Sequence, residues 1–504
     1  MKRGEPRGGR VPRVGVLVVA YNAATTLTAV LDRLPQSFRA AVDHVLVCDD
    51  ASHDDTYRIG LAYRELNTLP LTVVRNPSNL GYGGNQKSGY RWAIQHGLDI
   101  VVLLHGDGQY APEVIEDVVE ALTDETADAV LGSRMMQPGA ARAGGMPLYK
   151  FVGNRILTRF QNAMSGLELS EWHSGYRAYR VSALAELPFD TYSDGFDFDT
   201  EIILGLHRAG KRIAEVPIPT YYGEEICYVN GLRYARDVSL DVLRFRLRRI
   251  GLGDAPRGNG NGTGDEKSID TCAYEVKDSP HSSHGRLLSW LAKLEASRIL
   301  DVGCSDGRFG ELARGYGHQV FGVDLVKHDG VGDRLDGFVE ADLEHGLPPE
   351  AGHDYRVIVA ADVLEHVVDP ERLLADLATR LAVDGTILVS VPNFAHWYPR
   401  TRVALGRFDY DQRGLLDRGH VRFFTRRSFE RLVRSCGLVI RRRSVVGTPF
   451  DVLGRDAGPA LARASSAAAA LDRLAARSWP TLFGYQFLYE LQPSGVRPSI
   501  GTRG

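Results

Sequence analysis

The chain has 504 residues, too many for one ordinary core, and at roughly 150 residues per domain it predicts about three units or two large ones. Hydrophobic content of 44% with 24% charged residues excludes global disorder, and 60 Lys+Arg against 63 Asp+Glu (formal charge −3) gives no basic excess to suggest a nucleic-acid partner. Five scattered cysteines (Cys48, Cys227, Cys272, Cys304, Cys436) exclude a disulfide framework and a zinc finger, and the longest apolar runs, 14–21 and 100–104, fall short of the roughly 18 residues of a spanning helix. Residues 1–10 are basic without an apolar stretch, which reads as a loose tail and not a signal peptide. The expectation is a soluble, cytoplasmic protein.

In chain order, β-branched runs at 15–20, 44–48, 71–75, 100–104 and 129–132 alternate with helical patterns. A Gly/Asn/Pro-rich stretch at 251–268 then reads as a flexible linker, splitting the chain into domains at 12–250 and 269–495. Beyond it, strand runs recur at 298–302, 319–323, 356–360 and 385–391, and the Ala-rich segment 460–476 reads as a surface helix. Both halves are therefore α/β with largely parallel sheets, whose ligands belong beyond the carboxyl ends of the strands.

The first half carries several such strand-end groups. Ala20-Tyr21-Asn22 ends the first run and Asp49-Asp50 the second, where paired carboxylates can accept from a base or ribose or merely cap a turn. Gly81, Gly83 and Gly84 let backbone approach something closely ahead of Lys87. His105-Gly106-Asp107-Gly108-Gln109 puts a carboxylate and an amide where a divalent cation can face a diphosphate. Arg134 and Arg177 are donors suited to phosphate. Asp197, Asp199 and Glu201 raise the question of a general base. A sugar hydroxyl acceptor needs one; a phosphate acceptor, already ionised, does not. Residues 232–250 alternate arginines with Val238, Val242 and Phe245, which suits a helix on an anionic membrane or one packed on its own domain.

These motifs resemble glycosyltransferase family 2, of the GT-A nucleotide-diphospho-sugar transferase fold, in its dolichyl-phosphate-mannose-synthase-like branch. The resemblance implies an inverting hexosyltransferase. It places Ala20, Tyr21, Asn22, Asp49, Asp50 and Lys87 at the nucleotide-sugar site, with Asp50 on base or ribose and Arg134 and Arg177 on phosphates. Asp107 and Gln109 would hold Mg²⁺ or Mn²⁺, and Asp107, Asp199 and Glu201 are the catalytic candidates. The family's usual Asp-x-Asp is His105-Gly106-Asp107 here, so His105 is a second ligand or stands just behind one. The partners implied are a nucleotide-sugar donor and a polyprenyl phosphate or glycan acceptor, with peripheral membrane association following from a lipid acceptor.

In the second half, Asp301-Val302-Gly303-Cys304-Ser305-Asp306-Gly307 is a strand followed by a glycine turn, off the G-x-G-x-x-G spacing of a dinucleotide site. Asp324 ends the next run, where a carboxylate can accept both ribose hydroxyls, and Asp342 can accept from an exocyclic amine. With Asp362-Val363-Leu364-Glu365-His366, these resemble class I S-adenosylmethionine (SAM)-dependent methyltransferases. The resemblance implies a Rossmann-like seven-stranded sheet whose last strand lies near 485–491. It also implies SAM on Asp301, Gly303, Ser305, Gly307, Asp324 and Asp342. His366, His396 and His420 are candidate bases for O-methylation, His420 first because it follows the fifth strand in a polar, aromatic-flanked segment. The whole reads as a bifunctional enzyme of one glycan or glycolipid pathway. The alternatives are that one domain only binds, or that an unrelated small molecule accepts the methyl group.

Overall fold

The structure, a computed structural model, describes residues 11–220, 231–248, 252, 279–411, 414–454 and 459–495. The expected tail, nearly all of the linker, and Cys227 and Cys272 lie outside the described residues. Contacts divide the chain into two units, the first running to Arg246 and the second holding the described residues from Ser279 on.

The first unit is built on seven strands: β1 (Val14–Ala20), β2 (His44–Asp49), β3 (Leu71–Arg75), β4 (Ile100–His105), β5 (Ala129–Ser133), β6 (Arg177–Arg180) and β7 (Ile213–Pro217). Their order is β3-β2-β1-β4-β6-β5-β7, parallel except for β6, which runs antiparallel to β4 and β5. Strand β1 is buried along all seven residues because both sheet faces are covered. Val16, Val18, Val45 and Val102 enter one core, and Leu17, Val19, Leu46 and Leu103 the other, as the two-residue period of a strand requires.

Two helices bear on function. In the helix Gly231–Arg248, Val238, Val242 and Phe245 are buried, Phe245 lies against His207, and the Tyr234 hydroxyl meets His173 Nδ1 at 2.8 Å. This helix packs on its own domain, so its apolar face is not the one offered to a membrane. The helix Leu148–Ser165 does the opposite. Leu148, Tyr149, Val152, Ile156 and Phe160 recur at three- and four-residue spacing along one exposed face, with Ile156 at 61% exposure. Among the described residues no helix is long and apolar enough to cross a membrane.

The second unit carries β8 (Arg298–Val302), β9 (Gln319–Asp324), β10 (Gly337–Glu340), β11 (Tyr355–Ala361), β12 (Leu381–Pro392), β13 (Leu438–Val446) and β14 (Gln486–Pro493). The order is β10-β9-β8-β11-β12-β14-β13, with β14 antiparallel to both β12 and β13. The last strand falls where expected, and the Ala-rich segment forms the helix Pro459–Ser478.

Candidate active sites

In the first unit, the ends of β1, β2 and β4 converge. Asp49 and Asp50 are both buried, but they do different things. Asp50 accepts from Leu80 N at 2.9 Å, Gly81 N at 3.0 Å and Asn76 Nδ2 at 2.9 Å. Its oxygens fix the start of the helix Gly81–Gln95. Asp49 pairs with Arg75 at 3.3 Å through one oxygen, while Oδ1 is buried without a hydrogen-bond partner.

The glycines of that helix admit protein rather than ligand. A Cβ at Gly83 would lie 2.5 Å from Ser193 O and 2.7 Å from Phe198 Cβ, so the glycine lets the 193–198 segment close onto the helix. Lys87 donates to Tyr192 O at 2.5 Å and pairs with Asp194 at 2.8 Å. It ties down the same segment.

Both arginines are also turned inward. Arg134 forks onto the buried Glu171, which Asn154 Nδ2 also reaches at 2.7 Å. Burial pushes Glu171 up, but the Arg134 guanidinium outweighs it and holds the carboxyl below the usual range. Arg177, 1% exposed, donates to the carbonyls of Trp172, Ser174 and Asp199 and lies 3.4 Å from the Asp199 carboxylate. These are the partners that phosphate would otherwise supply.

The candidate bases are occupied in the same way. Asp199 accepts from Tyr82 Oη at 2.8 Å and Gln86 Nε2 at 3.2 Å, besides its pairing with Arg177. Glu201 accepts from Ser193 N at 2.5 Å. The His105 ring packs edge-on against Tyr82 and Tyr110, with Nε2 3.3 Å from Tyr82 Oη, and burial lowers its pKa. A Cβ at Gly175 would lie 2.5 Å from His105 Cε1, so only glycine fits there.

Asp107 differs from all of these. It is exposed just past the end of β4, and it accepts from Gln109 N at 3.1 Å. Its carboxylate is open to a hard cation, with Gln109 half-buried beside it and Tyr21 and Asn22 half-buried or exposed at the end of β1. Sequence reasoning missed Glu171, six residues before Arg177. It also missed Tyr82, which bridges Asp199 and His105.

In the second unit, Asp301 is 3% exposed with Oδ2 unpartnered, and burial, helped by Asp324, pushes it up to about 8. Gly303 has φ +71°, and a Cβ there would meet Val363 Cγ2 at 2.7 Å. Ser305 and Gly307 continue the turn at φ +48° and +81°. Ser305 N donates to Asp324 Oδ2 at 2.7 Å, so the carboxylate that ends β9 is held against the turn. An orphaned buried carboxylate beside a left-handed turn fits a cationic, hydroxyl-bearing nucleoside such as SAM. Asp342, in contrast, is exposed and spends its oxygens on Glu344 N at 2.9 Å and the His345 ring at 3.0 Å. It caps a short turn.

His396 is fully buried, accepts from Tyr398 N at 3.3 Å, and burial holds it down at about 3, so it caps a helix and is no base. His420 is 8% exposed, and burial together with His366 holds it at about 4. It stands with His366 and Glu365 in one cluster.

Two Rossmann-like sheets with carboxylates at their strand ends define a two-domain transferase. Residues 15–187 match the glycosyl transferase family 2 description, and residues 279–442 match the methyltransferase domain description. An undecaprenyl-phosphate mannosyltransferase of Micrococcus luteus is 34% identical over 209 residues, 41% of this chain and 82% of that protein, and the chain belongs to glycosyl transferase family 2. A UDP-N-acetylglucosamine–dolichyl-phosphate N-acetylglucosaminyltransferase of Methanococcus voltae is 29% identical over 223 residues, 42% of this chain and 86% of that one. For the other half, the solved 1,6-didemethyltoxoflavin-N1-methyltransferase of Burkholderia thailandensis, bound to S-adenosylhomocysteine, is 16% identical. That match covers 42% of this chain and 77% of that one at a TM-score of 0.28. The protein is an enzyme with a glycosyltransferase and a methyltransferase domain.

Proposed function

We propose that the first unit, residues 12–250, transfers a sugar with inversion from a nucleoside diphosphate to a polyprenyl phosphate. The second, residues 269–495 beyond a linker at 251–268, methylates a hydroxyl oxygen of the same glycan or glycolipid pathway. One observation carries the choice of acceptor. Asp199 and Glu201, the two candidate bases, both hold partners from their own chain. An acceptor that arrives already ionised needs neither of them, whereas a sugar or glycan hydroxyl would. The relatives' polyprenyl-phosphate chemistry agrees with this.

A second feature supports a lipid. The exposed stripe of the helix Leu148–Ser165 adjoins a cleft of about 370 Å³ lined by Met135, Arg155, Arg159, Asn162 and Ser170. Apolar side chains can enter an acyl boundary while the two arginines meet an anionic headgroup or phosphate. In the donor site, Asp49 Oδ1 is the open acceptor for a base or ribose. Asp107 with Gln109 holds Mg²⁺ or Mn²⁺, which when bound neutralises the charge gathering on the leaving diphosphate. In the second unit, Asp324 accepts the ribose hydroxyls, Asp301, which burial keeps protonated to about pH 8 without ligand, ionises against a cationic cofactor, and His420 stands at the methyl acceptor.

The test is a panel of UDP- and GDP-sugars offered with polyprenyl phosphate, unphosphorylated polyprenol and a free glycan. Product forms on the phosphate alone. Transfer to the alcohol or glycan at a comparable rate would restore a catalytic base and overturn the reading.

A further inference from the structure

Beside the methyltransferase turn lies a group of side chains that the reaction above does not require. Glu365 sits in the loop after β11, 1% exposed, with Oε2 lacking a hydrogen-bond partner. His420 is more than nine-tenths buried, and its Nδ1 also lacks one. The exposed His366 meets Gly419 O at 3.0 Å through Nδ1. A carbonyl only accepts, so Nδ1 is the protonated nitrogen and the Nε2 lone pair faces away from it. One ligand atom from each residue lies within 4.8 Å of the others, and the two imidazoles stand edge-to-face with centroids 4.9 Å apart.

The backbone holds this arrangement. Val421 N and Arg422 N both donate to Glu365 O, at 2.9 and 3.0 Å, which pins the His420 loop across the β11 loop. A buried carboxylate with an empty oxygen is costly unless it is protonated or meets a cation. Asp362 and Asp417 lie close enough to add to that cost. Two imidazoles oriented by the protein and one carboxylate make a donor set suited to borderline first-row ions, and poorly suited to Mg²⁺.

We propose that Glu365, His366 and His420 form a divalent metal site in the methyltransferase unit, taking Zn²⁺, Mn²⁺ or a similar ion and leaving positions open for oxygens of the methyl acceptor. The 4.8 Å limit is wider than donors need around one ion at about 2.1 Å, and rotation of the exposed His366 closes the difference. Val363, two residues before Glu365, is the side chain that a Cβ on Gly303 would strike at 2.7 Å, so the cluster adjoins the cofactor turn. An ion here selects an acceptor presenting one or two oxygens, as neighbouring sugar hydroxyls do, and makes His420 a ligand and not a base. This last role rests on the O-methyl reading; the ion site itself does not.

The experiment uses the full chain carrying Asp107→Ala, which silences the metal position of the first unit. After stripping with chelator, the protein is titrated with Co²⁺ and followed by visible absorption, with Zn²⁺ in competition, and SAM binding is measured separately by calorimetry. One equivalent of Co²⁺ is expected, displaced by Zn²⁺. His366→Ala and His420→Ala in the same background weaken Co²⁺ binding by roughly tenfold or more while SAM still binds. His366 is exposed, so its variant folds even where the buried one does not. No uptake by the Asp107→Ala chain, or undiminished uptake by the His366→Ala variant, overturns the site. Loss of SAM binding in every chain with Co²⁺ uptake intact would instead overturn the methyltransferase reading and leave the metal site standing.

Discussion

The two halves use the same device, acidic side chains at the ends of parallel strands, and differ in how many the protein keeps for itself. In the first, Asp50, Asp199 and Glu171 are filled by backbone N–H groups, a tyrosine, three side-chain amides and two arginines, and Asp107 alone among these carboxylates opens outward. In the second, Asp301 keeps a buried oxygen with no partner, and Asp324 accepts from Ser305 N of the turn it faces and from Val326 N. The contrast separates two uses of a strand-end carboxylate. One with internal partners builds the loop, and one left without them awaits a ligand.

That division can be broken most directly at Asp107. Asp107→Ala should lower sugar transfer by about a thousand-fold, roughly 4 kcal/mol of transition-state stabilisation, with methyl transfer and melting temperature unchanged. A retained transfer rate would move the metal role elsewhere. Arg134→Met is the converse case. It strands Glu171 in the interior and should cost about 3 kcal/mol of stability in the first unit, read by denaturant unfolding. If it instead lowers donor affinity in a protein of native stability, Arg134 faces phosphate after all.

Asp301 sharpens the comparison through pH. Its folded-state value of about 8 lies above that of the unfolded chain, so the folded second unit keeps a proton that the unfolded chain releases. Stability without ligand therefore falls as pH rises through the interval from about 4 to 8 and is flat above it. Asp301→Asn removes that slope, matching the natural chain near pH 4 and exceeding it at pH 9 by up to roughly 5 kcal/mol, about 1.4 kcal/mol for each of the roughly four pH units, or more than about 10 °C. Calorimetric scans across pH decide it; parallel curves would mean that the carboxyl is ionised throughout. The smallest effect separates Asp324 from Asp342. Asp324→Ala should weaken SAM by about tenfold, near 1.4 kcal/mol, and Asp342→Ala by less than about threefold. Titration calorimetry that found them equal would give Asp342 back a place at the adenine.

The sheets were legible where strands are buried apolar runs, as at 15–20, 100–104 and 298–302. β6 escaped because Arg-Ala-Tyr-Arg carries no apolar run. It is buried all the same, since Arg177 turns in onto carbonyls and Asp199. β13 escaped because Arg441, Arg442 and Arg443 interrupt it at the sheet edge, and β10 because it spans four residues. In the site, Asp107 was readable from its position after β4. The inward roles of Asp50, Lys87, Arg134 and Arg177 were not, because each has a partner from 22 to 107 residues away that only the folded chain brings to it.

The close fit of Gly175 against His105 has a consequence for anyone redesigning this enzyme. Positions 105 and 175 form a single choice. Any side chain at 175 must be matched by a smaller group at 105, and restoring an aspartate at 105 alone would leave a void where the imidazole now fills the space between Tyr82 and Tyr110. A library that varies the two sites independently would consist mostly of misfits, and the productive variants lie along the diagonal.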